Sequence, residues 1–109
     1  MTTFTWYQHN DAIVLRPEGK LNMVAAPHLR QQIAGAVDQG QTRLVIDLSG
    51  TDFLDSSGLG ALVAGLKVAR QAGGDLRIAC PGEQVLLVLE LTSMTSVLRP
   101  YASIDEASQ

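Results

Sequence analysis

A chain of 109 residues, 46% hydrophobic and 17% charged, is long enough to bury a core without disulfides or metals and too apolar for intrinsic disorder. Its formal charge of −3 comes from 8 basic and 11 acidic residues, and the scattered Lys and Arg leave no electrostatic footprint for direct nucleic-acid binding. The single cysteine, Cys80, excludes an internal disulfide and fits a reducing compartment.

The opening Met1-Thr2-Thr3-Phe4-Thr5-Trp6 lacks the pattern of an export leader. The most apolar windows, 59–68 and 85–91, are about half the length of a membrane span. One cytoplasmic domain over residues 1–109, without membrane insertion, is the expectation. No internal repeat, linker or low-complexity tract divides it.

Residues 4–8, aromatic and Thr-containing, and 12–16, β-branched and apolar, predict two strands. His9-Asn10-Asp11 between them predicts a hairpin turn. Pro17 cannot donate to a ladder and is expected to end or bulge the second strand. Gly19-Lys20-Leu21-Asn22 leads into a helix whose apolar positions Leu29, Ile33, Ala36 and Val37 recur at helical spacing and which Gly40 stops. The nearly continuous apolar run 44–48 predicts a central strand buried on both faces.

A loop is expected over 49–55, then a second helix over 57–72 closed by Gly73-Gly74, and a buried strand over 76–80. Pro81-Gly82 turns the chain into a third helix over 83–91. A short strand near Val97-Leu98 and an acidic tail over 104–107 follow. The order β-β-α-β-α-β-α plus a C-terminal piece predicts an α/β fold, a small mixed sheet of about four to five strands with helices packed on it.

The most informative stretch is Asp52-Phe53-Leu54-Asp55-Ser56-Ser57-Gly58-Leu59-Gly60, where a buried strand has ended and a helix begins. Asp55, Ser56 or Ser57 can serve as the N-cap, and capping alone accounts for such residues. The same geometry admits a function. A phosphate on an exposed hydroxyl there would meet N–H donors and the positive end of the helix dipole, adding roughly −1.5 to −2 charges. On the second helix, Leu59, Leu62, Val63 and Leu66 are assigned to the core. Gly60, Ala61, Ala64 and Val68 form an uncharged opposite face that is either covered by the fold or open to a partner.

Other chemistries fit poorly. Val63 stands where a dinucleotide fingerprint starting at Gly58 needs its third glycine, and the P-loop lysine is missing. His9 and His28 have no Cys or acidic cluster at ligand spacing, and Ser56 and Ser57 lack the G-x-S-x-G elbow. His28 reads as a surface residue and Cys80 as a small core residue. No catalytic residue, metal site or cofactor is expected.

Val45-Ile46-Asp47-Leu48, then Phe53-Leu54-Asp55-Ser56-Ser57-Gly58-Leu59-Gly60, then Gly73-Gly74 before a strand, resembles the STAS-domain family over nearly the whole chain. Within the family the sequence is most similar to the stand-alone anti-sigma factor antagonists. The resemblance implies that Ser56 is phosphorylated by a partner that is both anti-sigma factor and serine kinase. It further implies that the unmodified form binds this partner, that the phosphorylated form does not, and that a serine phosphatase resets the cycle. Asn22, Asp55, Ser56, Ser57, Gly58, Leu59, Gly60, Ala61 and Ala64 are then the implied partner surface, and ATP belongs to the kinase.

One departure falls on that surface. Family members commonly carry Gly-Glu-Leu-Asp where this chain has Gly19-Lys20-Leu21-Asn22; Asn22 keeps the hydrogen-bonding capacity without the charge, and Lys20 reverses another. A STAS accessory subunit of a transporter or signalling assembly, with Ser56 unmodified, is the alternative.

Overall fold

A computed structural model describes residues 1–109. The chain runs β1 (Thr3–His9), β2 (Ala12–Leu21), α1 (Ala26–Asp38), β3 (Arg43–Asp47), β4 (Thr51–Leu54), α2 (Ser56–Gln71), β5 (Asp75–Ala79), α3 (Glu83–Leu91), β6 (Pro100–Tyr101) and α4 (Ile104–Ala107). The predicted mixed α/β architecture is present, with six strands.

The antiparallel β1–β2 hairpin turns on Asn10, whose φ of 55° is the left-handed conformation that asparagine tolerates. All other strand pairs are parallel, and the order is β1-β2-β3-β5-β6 with β4 pairing with β2. Side chains alternate across the sheet. Leu15, Leu44, Ile46, Leu76 and Ile78 join Leu29 and Ile33 of α1, Leu62 and Leu66 of α2, and Val85 and Leu89 of α3 in the main core. Val14, Val45 and Ala79 point the other way into a small cluster that Ala107 of α4 helps to cover. No helix is long and apolar enough to cross a membrane.

Pro17 does not end β2, which continues to Leu21. Its carbonyl accepts from the Thr51 hydroxyl at 3.2 Å. In a strand, the amide and carbonyl of one residue point the same way, so the missing N–H falls where β2 passes from its β3 pairing to its β4 pairing. No ladder partner is needed there. The register shift comes later, between Gly19 and Lys20.

The expected loop over 49–55 contains β4, a four-residue strand on the far end of β2. Asp47 Oδ1 accepts the Ser49 N–H at 3.0 Å and turns the chain into it. Val97-Leu98 is not a strand: Leu98 plugs the main core from a turn, and the last parallel pairing is made by Pro100–Tyr101 against Ile78–Ala79. The acidic tail is a short helix, its first turn capped by Ser103 Oγ, which accepts from the Glu106 N–H at 3.1 Å. Arg43 and Arg77 donate to the carbonyls of Ser108 and Ala107 at its end.

Cys80 lies one residue beyond β5 at φ 57°, half-buried against the small cluster. Burial, with the Asp47 carboxylate nearby, pushes its thiol pKa up and so disfavours thiolate.

Candidate functional site

β4 and α2 deliver residues 55–60 to the end of β2, where the turn into α1 begins. Asp55 is the N-cap of α2, chosen from the three candidates by its extended backbone at φ −108° and ψ −176°. Its Oδ1 accepts the Gly58 N–H at 2.9 Å, and its Oδ2 accepts the Met23 N–H at 3.0 Å. The Asp55 N–H donates to the Leu21 carbonyl at 3.3 Å. One carboxylate therefore caps a helix and fastens the neighbouring turn to it. Asp55→Ala is expected to lower stability by about 2 kcal/mol in urea unfolding, from the lost cap and the stranded Met23 amide. Asp55→Asn, with one acceptor oxygen left, should lose about half of that.

Asn22 holds the same turn from within. Its Oδ1 accepts the N–H groups of Val24 and Ala25, both at 3.1 Å, and its carbonyl accepts from Ala26. A neutral amide performs this task as well as a carboxylate, since only acceptor capacity is used. Lys20 lies with its ammonium 6.0 Å from the centre of the Phe53 ring. The turn leaves Met23 and Val24 72% and 73% exposed, an unusual expense for adjacent apolar residues, beside the start of α2.

Ser56 is the first residue of α2 and is exposed; Ser57 is half-buried. From Ser56 a groove follows the helix over Gly60, Val63 and Ala64, with Arg30 and Lys67 on its walls. Arg30 of α1 leans across it, its Nη2 lying 3.6 Å from the place of a Cβ on Gly60.

Three residues assigned to the partner surface are buried. Ala61 is wholly inside the main core, so it does not belong to an exposed face. Leu59 is 8% exposed and packs in that core, with only its edge on the groove. Gly58 is buried because α2 crosses β2 so closely that a Cβ there would overlap the Leu21 carbonyl. Val63, assigned to the core, is only partly buried: it packs against the main core and also lines the groove, and Val68 is exposed further along. The helix is rotated from the face expected, because the deepest contact is at Gly58 and Ala61 rather than at Val63.

Arg30 and Lys67, which line the groove, and Met23 and Val24, in the turn fastened to Asp55, were not picked out by sequence reasoning. Met23-Val24 carried a signal, a pair of apolar residues between a turn and Pro27. Arg30 carried none, since only the packing of α1 on α2 brings it here. His28 is exposed, as expected, and His9 is engaged with Asp105 of α4, far from Ser56 in sequence.

Comparison with known proteins agrees with this architecture. The STAS domain family matches residues 3–107. The chain is 40% identical over 107 residues to the anti-sigma-F factor antagonist RsfB of Mycobacterium tuberculosis, covering 96% of this chain and 85% of that protein. A crystal structure of an anti-sigma factor antagonist from Mycobacterium paratuberculosis superposes with a TM-score of 0.86 at 30% identity, covering 98% of this chain and 91% of the other. SpoIIAA shares the fold at lower identity. Its unphosphorylated form has a TM-score of 0.80 at 23% identity over 96% and 92% of the two chains. The phosphorylated form from Bacillus has a TM-score of 0.72 at 22% identity over 96% of each. With the family model matching residues 3–107, and with 40% identity to one anti-sigma factor antagonist and a shared fold with another over nearly its full length, the chain belongs to the STAS-domain family of anti-sigma factor antagonists.

Proposed function

We propose that this protein is a phosphorylation-switched anti-sigma factor antagonist: it binds a kinase-type anti-sigma factor while Ser56 is unmodified, and phosphorylation of Ser56 releases it. The observation that carries this reading is the position of Ser56, exposed on the first turn of α2 at the head of a groove floored by Gly60 and Ala64, next to the Asp55 cap that fastens the turn carrying exposed Met23 and Val24. Small groove residues let a partner backbone approach, and the two exposed apolar side chains give it area to bury. A phosphate at the head of that groove has to be desolvated when the partner docks and lies close to the kinase's own nucleotide phosphates.

The relatives named above are regulatory proteins, and SpoIIAA has been solved in both phosphorylated and unphosphorylated forms. Asn22 supports the reading, because it preserves the turn that places Met23 and Val24. Arg30 and Lys67 give a phosphoserine local countercharge in the free protein, so the modified form stays folded. The serine kinase supplies ATP, a serine phosphatase restores the binding form, and the cycle belongs in the cytoplasm.

The test is intact-mass analysis after incubation with ATP and each kinase-type anti-sigma factor of the same genome. Wild type is expected to gain one phosphate, and Ser56→Ala none while still forming the complex. A gain retained in Ser56→Ala would move the acceptor to another residue, Ser57 first. Absence of both complex and phosphate in wild type would overturn the reading in favour of an accessory subunit.

A further inference from the structure

β4 is an edge strand: β2 pairs with it on one side and no strand lies on the other. An edge leaves backbone groups without ladder partners. At Leu54 that place is taken by a side chain. Gln84, in the first turn of α3, accepts the Leu54 N–H with Oε1 at 2.7 Å and donates from Nε2 to the Leu54 carbonyl at 3.0 Å. Its carboxamide pairs with one residue's donor and acceptor together, as a neighbouring strand would.

The residue so held is the last of β4. Its side chain is 1% exposed in the main core, and the next two residues are the cap Asp55 and then Ser56. The Leu54 carbonyl belongs to the peptide plane that leads into Asp55, so fixing it sets the direction from which the Asp55 carboxylate reaches the Gly58 and Met23 amides. We propose that Gln84 is a positioning residue for Ser56: it completes the ladder at Leu54 and thereby holds the Asp55 cap and the serine that follows.

Glutamine's planar carboxamide offers an acceptor and a donor side by side at this reach, and asparagine is one carbon shorter. The arrangement makes α3 part of the site through its contact with β4. The functional meaning rests on the proposed role of Ser56; the positioning itself does not.

The test uses the uniformly ¹⁵N-labelled full chain, with amide exchange and chemical shifts read by NMR in wild type, Gln84→Met and Gln84→Glu. In Gln84→Met, which keeps the length and removes both bonds, the Leu54 and Gly58 amides are expected to exchange at least about tenfold faster and the Ser56 resonance to move. The Ile46 amide should change only as global stability does.

At neutral pH the Gln84→Glu carboxylate sets an oxygen against the Leu54 carbonyl, and the same losses are expected. Below the usual glutamate pKa of about 4.3 the protonated acid donates again. Protection at Leu54 and Gly58 should then return relative to Gln84→Met at the same pH, a rescue that simple space-filling does not produce. Unchanged Gly58 and Ser56 in Gln84→Met, or no rescue in Gln84→Glu, would overturn the proposal. Where the kinase phosphorylates wild type, Gln84→Met should be modified about tenfold more slowly. A wild type that no kinase modifies refutes the Ser56 switch and leaves Gln84 to be judged on the amides.

Discussion

Gly58→Ala is expected to cost about 3 kcal/mol, while Gly60→Ala, two residues along the same helix, is expected to gain about 0.5–1 kcal/mol. Alanine is the better helix former at both positions, so propensity alone predicts a gain for each. Space decides otherwise at residue 58. A Cβ there would overlap the carbonyl carbon and oxygen of Leu21, which are backbone and have no rotamer to change. That carbonyl also accepts the Asp55 N–H, so it cannot withdraw without loosening the cap. Moving α2 away instead would open the packing of Leu62 and Leu66, both in the main core. At residue 60 the only atom near a new Cβ is Arg30 Nη2 at 3.6 Å, an ordinary contact with the end of a flexible side chain. Urea unfolding of the two variants against wild type measures both signs. A Gly58→Ala protein within about 1 kcal/mol of wild type would mean that α2 slides off β2 at little cost, and the close crossing would not be what places Ser56.

Much of this arrangement was legible in the sequence wherever the signal was local. The hairpin at Asn10, the glycine stops at Gly40 and Gly73, and the continuous apolar run of β3 each depend on neighbours in the chain, and each is in the structure. The Asp55-Ser56-Ser57 segment showed a helix start for the same reason, a short acceptor before a helical apolar period. What stayed hidden was set by distant partners. β4 is four residues long, begins after the turn signal Ser49-Gly50 and is stabilised by the far end of β2, so its own residues read as loop. The rotation of α2 escaped periodicity because Gly58 and Ala61, the residues of deepest contact, have too little side chain to register as apolar positions. Gln84 and Arg30 act across 30 residues of sequence each, to Leu54 and to Gly60, through contacts that no spacing rule reaches. The surface around Ser56 is therefore assembled from one legible segment and several elements that only the fold brings to it.

Ser56→Asp is expected to fold at least as well as wild type and to bind the kinase-type anti-sigma factor about a hundredfold more weakly. The first half follows from the helix. A carboxylate in the first turn of α2 faces the positive end of its dipole, a gain of about 0.3–1 kcal/mol. The second half follows from the groove. The partner must cover Ser56 to reach Gly60 and Ala64, and a carboxylate there loses water that the nearby Leu59, Val63 and Ala64 side chains do not replace. Arg30 and Lys67 offset part of this cost, but both are exposed, and exposed pairs return no more than about 1 kcal/mol each. With several kcal/mol of desolvation against that return, a net loss near 2.7 kcal/mol is the expectation, and each 1.4 kcal/mol is a factor of about ten. Ser56→Asn separates charge from size: similar in shape and neutral, it should bind at least about tenfold more tightly than Ser56→Asp. Titration calorimetry of the three proteins against one anti-sigma factor, with thermal melts to confirm folding, gives the comparison. Equal affinity for Ser56→Asp and wild type would remove charge as the basis of the switch. Equal weakness of Ser56→Asp and Ser56→Asn would reassign it to shape, because the groove would then be rejecting any side chain larger than serine.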